Sequence, residues 1–258
     1  MGQDGGRPPG EAVVDRAFAV LRAFDADHRA LGLADLARRA ALPRSTALRM
    51  ARHLVAAGAL ERLGDGRYVI GLGLLEIATL APRGHGLRAV AMPHLEDLFH
   101  VMRRHVLLAV RDGGEALLVE RLSAPEAGPV RYRVGGRMPL HASGAGLVLL
   151  AFAPPAEQDR ALAGFTPAEG LDAVRDADDL RRVLAEVRRA DHAVGSRLLP
   201  HPRATAAAPV RGPTGAVVAA LSVVGPSDGF DAASWIPAVR ATARAVSRRL
   251  REDAPGPR

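Results

Sequence analysis

The hydrophobic pattern of the chain changes period once, near His105, and this change limits the fold more than any other feature. Before it, apolar residues recur with the spacing of amphipathic helices. After it, short apolar runs separated by Gly and Pro alternate with helical segments. A helical region followed by mixed strands and helices predicts an α+β chain, and 258 residues suffice for one large domain or two modest ones.

In the first region, residues 11–25 place Val14, Ala17, Phe18, Leu21 and Phe24 on one face, and "DHRALG" breaks the pattern. Leu33, Leu36, Ala37 and Ala40 mark a second short helix. The turn "ALP" then puts Pro43 at the first position of a third, where its missing N–H costs nothing. Over residues 44–57 the inward set is Ala47, Leu48, Ala51, Leu54 and Val55. The outward set is Arg44, Ser45, Thr46, Arg49, Arg52 and His53, and Gly58 suits the helix end. "ALERL" and "RYVIG", around Gly64-Asp65-Gly66, read as a β-hairpin. Helix, helix, short turn, helix and hairpin is the order of a winged helix-turn-helix over residues 11–72. Residues 72–80 are apolar and helical until Pro82, Gly84 and Gly86 interrupt them, which makes 73–88 the expected linker helix. A further helix runs to His105, kinked or started by Pro93.

In the second region, "VLLAVRD", "EALLVERLS" and "VRYRVG" read as strands, "GAGLVLLAFA" as a buried helix and "DDLRRVLAEVRRADHAV" as an amphipathic one. "TAAAPVRG" and "AVVAALSVVGP" are strands around "GPTG", and residues 231–252 form a closing helix. This order predicts a largely antiparallel sheet in a domain spanning residues 89–252. Residues 1–10 and 253–258 read as tails, the first being polar and rich in Gly and Pro.

Charge points to a partner. The net charge is +7. Between residues 37 and 70 stand Arg38, Arg39, Arg44, Arg49, Arg52, Arg62 and Arg67, against only Glu61 and Asp65. A helix fits the major groove of DNA and meets base edges with its N-terminal residues. Arg44, Ser45, Thr46 and Arg49 fall at that end. Arg52 and His53 lie further along, toward the backbone, and Arg62 and Arg67 flank the hairpin tip where phosphates or the minor groove are in reach. A small helical bundle with a solvated charged face is the competing reading. The arginines of residues 239–258 read as the solvated face of the terminal helix.

Other chemistries find less support. There is no cysteine, which removes disulfides, thiolate zinc sites and a Cys nucleophile. No run of about 18 apolar residues and no secretory leader occur, so a cytoplasmic location without membrane contact is expected. No G-x-S-x-G, HExxH or GxxxxGK[ST] motif is present. His141 and Ser143 would be a base and a nucleophile, with His192 the remaining candidate, in a metabolite-processing enzyme carrying an accessory helical domain. The plainer reading of Ser143 is a helix cap. His192, His201 and Asp191 read as solvated rather than as a metal site, and no cofactor is implied. Gly144 to Gly146 open a helix with little side-chain bulk, which suits either an anion at the exposed N–H groups or close helix–sheet packing.

The chain resembles the IclR-type family of bacterial transcriptional regulators from about residue 11 to about residue 251. The resemblance rests on "LADLARRAALPRSTALRMARHLVAAGALER", "DGRYVIGLGLLEIA", "VGGRMPLHASGAGLVLLAF", "AEVRRADHAV" and "TAAAPVRGPTGAVVAALSVVGP" in this order. It implies a winged helix-turn-helix, a linker helix and a GAF/PAS-like effector-binding domain with an antiparallel sheet. It further implies homodimers or dimers of dimers on double-stranded operator DNA, and a small aromatic or aliphatic acid as effector. Carried over, the effector residues are Gly144, Ala145, Ala207, Ala208 and Ser222, with Met138 as a wall.

Overall fold

The computed structural model describes residues 12–129, 132–167, 174–197 and 202–253. The chain divides into two units, residues 1–81 and 82–258. Residues 1–10 and 254–258 of the expected tails, Val130 and Arg131 of the expected strand "VRYRVG", and His201 lie outside the described residues.

The first unit is built from α1 (Ala12–Arg22), α2 (Leu33–Arg39), α3 (Arg44–Ala56), β1 (Leu60–Arg62), β2 (Tyr68–Ile70) and α4 (Leu72–Thr79). Val20, Ala23, Leu31, Leu36, Ala40, Met50, Ala51, Leu60 and Tyr68 form its core. Only part of the α1 stripe enters that core. Val20 is fully buried, whereas Val14 and Phe18 of the expected face stand in solvent, 64% and 51% exposed. On α3 the buried line is Ala47, Met50 and Ala51, with Leu48 and Leu54 half-buried. The helix is therefore turned slightly from the expected stripe, with Met50 in the core and Arg49 exposed. β1 and β2 pair antiparallel, and Leu31 adds a bridge to Tyr68. α4 buries no residue.

The expected linker falls across the division. α4 belongs to the first unit, and the π-turn Pro82–Gly86 opens the second. There follow α5 (Leu87–Met102), β3 (His105–Asp112), β4 (Glu115–Leu122), β5 (Arg137–Pro139), α6 (Gly144–Ala151), α7 (Pro155–Ala163), α8 (Ala177–Ala190), β6 (Ala193–Arg197), β7 (Arg203–Arg211), β8 (Val217–Pro226) and α9 (Ala232–Glu252). The strands form one antiparallel sheet in the order β5-β4-β3-β8-β7-β6. Pro93 lies inside α5 rather than at its start.

Side chains alternate across the sheet, so it carries two cores. On one face α5 and α9 cover Val106, Leu108, Ala206, Ala208, Val210, Leu221 and Val223. On the other, α6 and α8 cover Leu107, Ala109, Leu118, Ala207 and Ala220. α6 is buried along its whole length, as a helix apolar on all sides must be.

Three further features, all in the second unit, differ from expectation. "VRYRVG" is not a strand where it is described. Residues 132–134 are irregular, and the edge strand falls at Arg137–Pro139, once Gly135 and Gly136 have met the backbone of Leu118. The helix expected over 178–194 stops at Ala190, because Asp191 adopts φ 56° and its carboxylate accepts a hydrogen bond from Arg211 at 2.7 Å. Ala193 and Val194 thereby enter β6, so that the apolar spacing of Val187 and Val194 spans two elements. α7, opened by Pro155, has no counterpart in the expected order.

Candidate functional site

Two surfaces carry the expected site residues, one in each unit. In the first, α2 and α3 are joined by a turn closed by Leu42 N–H on the Ala37 carbonyl at 2.9 Å, with Ala41 at φ 54°. α3 is thus a second helix after a tight turn, with a hairpin wing behind it. Arg44, Ser45, Arg49, Arg52 and His53 are exposed and Thr46 half-buried, on the face opposite Ala47 and Ala51. The first turn of α3 holds no acidic residue, so its positive helix end is not neutralised from within.

The structure sorts the arginines that the sequence presents as one cluster. Arg38 bonds Asp35 at 2.7 Å, Arg39 bonds Asp25, and Arg67 bonds Asp65 at 2.7 Å. Arg44, Arg49, Arg52 and Arg62 meet no carboxylate among the described residues. Arg62 lies over the Tyr68 ring, 5.9 Å from its centroid, which holds it at the wing. The uncompensated charge therefore lies on α3 and β1, where a phosphate backbone would be met.

In the second unit, the α6 side of the sheet brings most of the expected effector residues together. Gly144 and Ala145 open α6, Met138 is buried on β5, and Ala207 and Ser222 are neighbours across β7 and β8. Ala208 is not with them. It lies in the opposite core, under α5 and α9, as alternation along β7 requires. Sequence reasoning missed the next row of that face, in which Thr205, Val224 and His105 stand side by side on β7, β8 and β3. Counting back by two from Ala207 and from Leu107 would have found Thr205 and His105.

The residues of the enzymatic reading are occupied structurally. The Ser143 hydroxyl accepts the Gly146 N–H at 3.0 Å, as a helix cap does. His141 meets the Phe165 ring edge-on at 5.1 Å, and burial lowers its pKa against a hydrogen bond to the Thr166 backbone. His192 bonds the Ala190 carbonyl through Nδ1 at 2.9 Å. Asp191 is paired with Arg211. No group of three or more His, Asp or Glu side chains suited to a metal occurs among the described residues.

The family model of the IclR helix-turn-helix domain matches residues 13–64, and that of the bacterial transcriptional regulator IclR C-terminal domain matches residues 80–248. The chain belongs to the IclR family. Like its members it is a transcriptional regulator and not an enzyme. The glycerol operon regulatory protein of Streptomyces griseus is 33% identical over 92% of this chain and 95% of its own length. The HTH-type transcriptional repressor AllR of Escherichia coli (strain K12) is 29% identical over 93% of this chain and 91% of its own. An IclR homolog from Microbacterium hydrocarbonoxydans, solved in complex with 4-hydroxybenzoate, is 37% identical. It covers 94% of this chain and 100% of its own, with a TM-score of 0.89. In this IclR protein, DNA binding belongs to the N-terminal unit and effector binding to the C-terminal one.

Proposed function

We propose that this IclR regulator reads double-stranded operator DNA as a homodimer, with Arg44, Ser45, Thr46 and Arg49 at base edges and Arg52, His53 and Arg62 on phosphates. The observation that carries this is the set of four arginines on α3 and β1 that meet no carboxylate among the described residues. Arg67, held by Asp65, has the smaller part.

Self-association has its own support. Val13, Val14 and Phe18 of α1 are exposed, and so are Leu72, Leu75 and Ile77 of α4 and Leu80 at its C-cap, the last by 81%. Exposed apolar rows of this kind mark a protein contact. A second copy of the same unit would cover them in a two-fold arrangement, which suits a palindromic operator.

The effector in this reading is a small aromatic acid of the 4-hydroxybenzoate kind, held between the start of α6 and the Ala207–Ser222 row, with Met138 beside it. Its support is the likeness to the 4-hydroxybenzoate complex, together with the small residues at 144, 145 and 207, which bring the N–H groups at the start of α6 up to β7. Effector occupancy would favour one dimer geometry and so set the spacing of the two α3 helices. A DNA partner places this work in the cytoplasm.

Selection of random duplexes on the full-length protein tests the DNA reading. The expected product is a pseudo-palindrome with half-sites about one duplex turn apart, roughly 34–36 Å. Recovery of no common sequence contradicts it.

A further inference from the structure

We propose that His105 reads a second polar group on the effector, at the end away from α6, so that the preferred ligand is a ring acid with polar groups at both ends. The proposal rests on the aromatic-acid reading above and adds a specificity residue to it.

His105 is 2% exposed. Its Nδ1 shares a hydrogen bond with Ser123 Oγ at 3.0 Å, while its Nε2 is buried without a partner among the described residues. Thr205 Oγ1 is likewise buried without a partner among them. Such atoms are few in folded proteins, and each calls for a reason such as a missing partner. These two stand on the same face of the sheet. His105 pairs with Val224, and Val224 with Thr205, so their strands lie two spacings apart, about 10 Å. Thr205 lies against Gly144 at the start of α6, and Val224 supplies an apolar floor between the two atoms. A single ring with a carboxylate near Thr205 and a hydroxyl near His105 spans this arrangement.

The surroundings of His105 favour an oxygen. Burial holds its pKa below the usual histidine value. The Ala127 and Gly128 carbonyls oppose that shift, without a hydrogen bond to Nε2, and the charges of Arg203 and Arg121 add to it. The ring is neutral, and with Nδ1 engaged it offers one group at Nε2. Whether that nitrogen donates or accepts, a hydroxyl can answer it. Arg121 donates to the Tyr132 carbonyl at 2.8 Å, and Arg203 to the Ala127 and Pro129 carbonyls at 2.7 and 2.8 Å. Neither guanidinium meets a carboxylate among the described residues, so their positive field acts on whatever lies beside His105.

Isothermal titration of the full-length protein with 4-hydroxybenzoate, 3-hydroxybenzoate and benzoate tests the proposal. Wild type should bind 4-hydroxybenzoate about tenfold tighter than benzoate, a modest preference for a buried group that hydrogen-bonds a hydroxyl. His105→Phe, with an unchanged circular dichroism spectrum, should bind both at the benzoate level. Equal binding of the two acids by wild type overturns the role of His105 and leaves the aromatic-acid reading standing, as does a preference retained by the folded variant. Should His105→Phe fail to fold, the isomers decide with wild type alone. Tighter binding of 4-hydroxybenzoate than of 3-hydroxybenzoate supports the far-end placement, and equal or reversed affinities overturn it. Binding of none of the three overturns both readings.

Discussion

Gly144 lies so close to Thr205 that a methyl group at position 144 would stand 2.8 Å from Thr205 Cγ2 and 3.0 Å from its Oγ1. Two positions on, the same helix meets backbone instead, because a methyl group at Gly146 would stand 2.2 Å from the Leu140 carbonyl oxygen. The Gly-Ala-Gly start of α6 is thus a packing device as well as a candidate ligand cradle.

The two glycines should therefore respond differently to alanine. Overpacking typically costs about 1–3 kcal/mol. Gly146→Ala should fall at the upper end, since a carbonyl cannot step aside. Gly144→Ala should cost less stability, since Thr205 can turn, but should weaken effector binding. Urea unfolding and effector titration measure both, and two neutral variants would contradict the packing described.

On DNA, Arg44→Ala and Arg49→Ala should each weaken specific operator binding by roughly 1–3 kcal/mol. Arg62→Ala should lower affinity for all duplexes alike and reduce the salt slope by about one. Arg67→Ala should do less, being tied to Asp65. Anisotropy titrations across salt concentrations separate these cases. Wild-type affinity in the Arg44 and Arg49 variants would reject the placement of α3 on the bases.

The exposed apolar rows of α1 and α4 should be needed for self-association. Phe18→Glu and Ile77→Glu put charges on residues 51% and 69% exposed, so the fold of the first unit should survive. Sedimentation velocity should show the dimer shifting to monomer. A dimer of unchanged strength would remove these rows from the interface.

Asp25 gives the first unit an acid dependence. Its pKa falls from 3.8 to about 2, first through the His28 side chain, then through the backbone N–H groups of Asp27 and His28 and the charge of Arg39. A depressed carboxylate contributes stability that is present above its unfolded pKa and lost as pH falls through its folded one. The melting-temperature gap between wild type and Asp25→Asn should thus be constant above about pH 5, shrink between about pH 4 and 2, and close below. A gap that does not change with pH would show that the carboxylate charge is not what Asp25 contributes.

Much of this arrangement is legible in the sequence because periodicity and turn chemistry agree there. Gly58 after α3 and Gly64-Asp65-Gly66 in the wing each name a local geometry that the structure adopts, while Pro43 stands one residue ahead of its expected first helical position, as the N-cap of α3. The misses fall where local pattern is ambiguous. Val187 and Val194 keep helical spacing across Asp191, whose positive φ and bond to Arg211 are tertiary facts. Val14 and Phe18 look like core because apolar residues give the same pattern whether they are buried or left exposed. Ala208 follows Ala207 in a run of small residues, and composition does not say which neighbour faces α6; the pleat does. His105 marked the change of period, yet its burial and its unpartnered Nε2 depend on strands β8 and β7, more than 90 residues later in sequence.

One chain should couple effector occupancy in the second unit to DNA binding by the first. The most direct test of this coupling is the affinity of the full-length protein for its selected duplex, measured by fluorescence anisotropy with and without saturating 4-hydroxybenzoate. The acid should shift the affinity by about 5- to 150-fold, the usual range for coupled sites. Superimposable curves, with the acid shown by calorimetry to be bound, would contradict it.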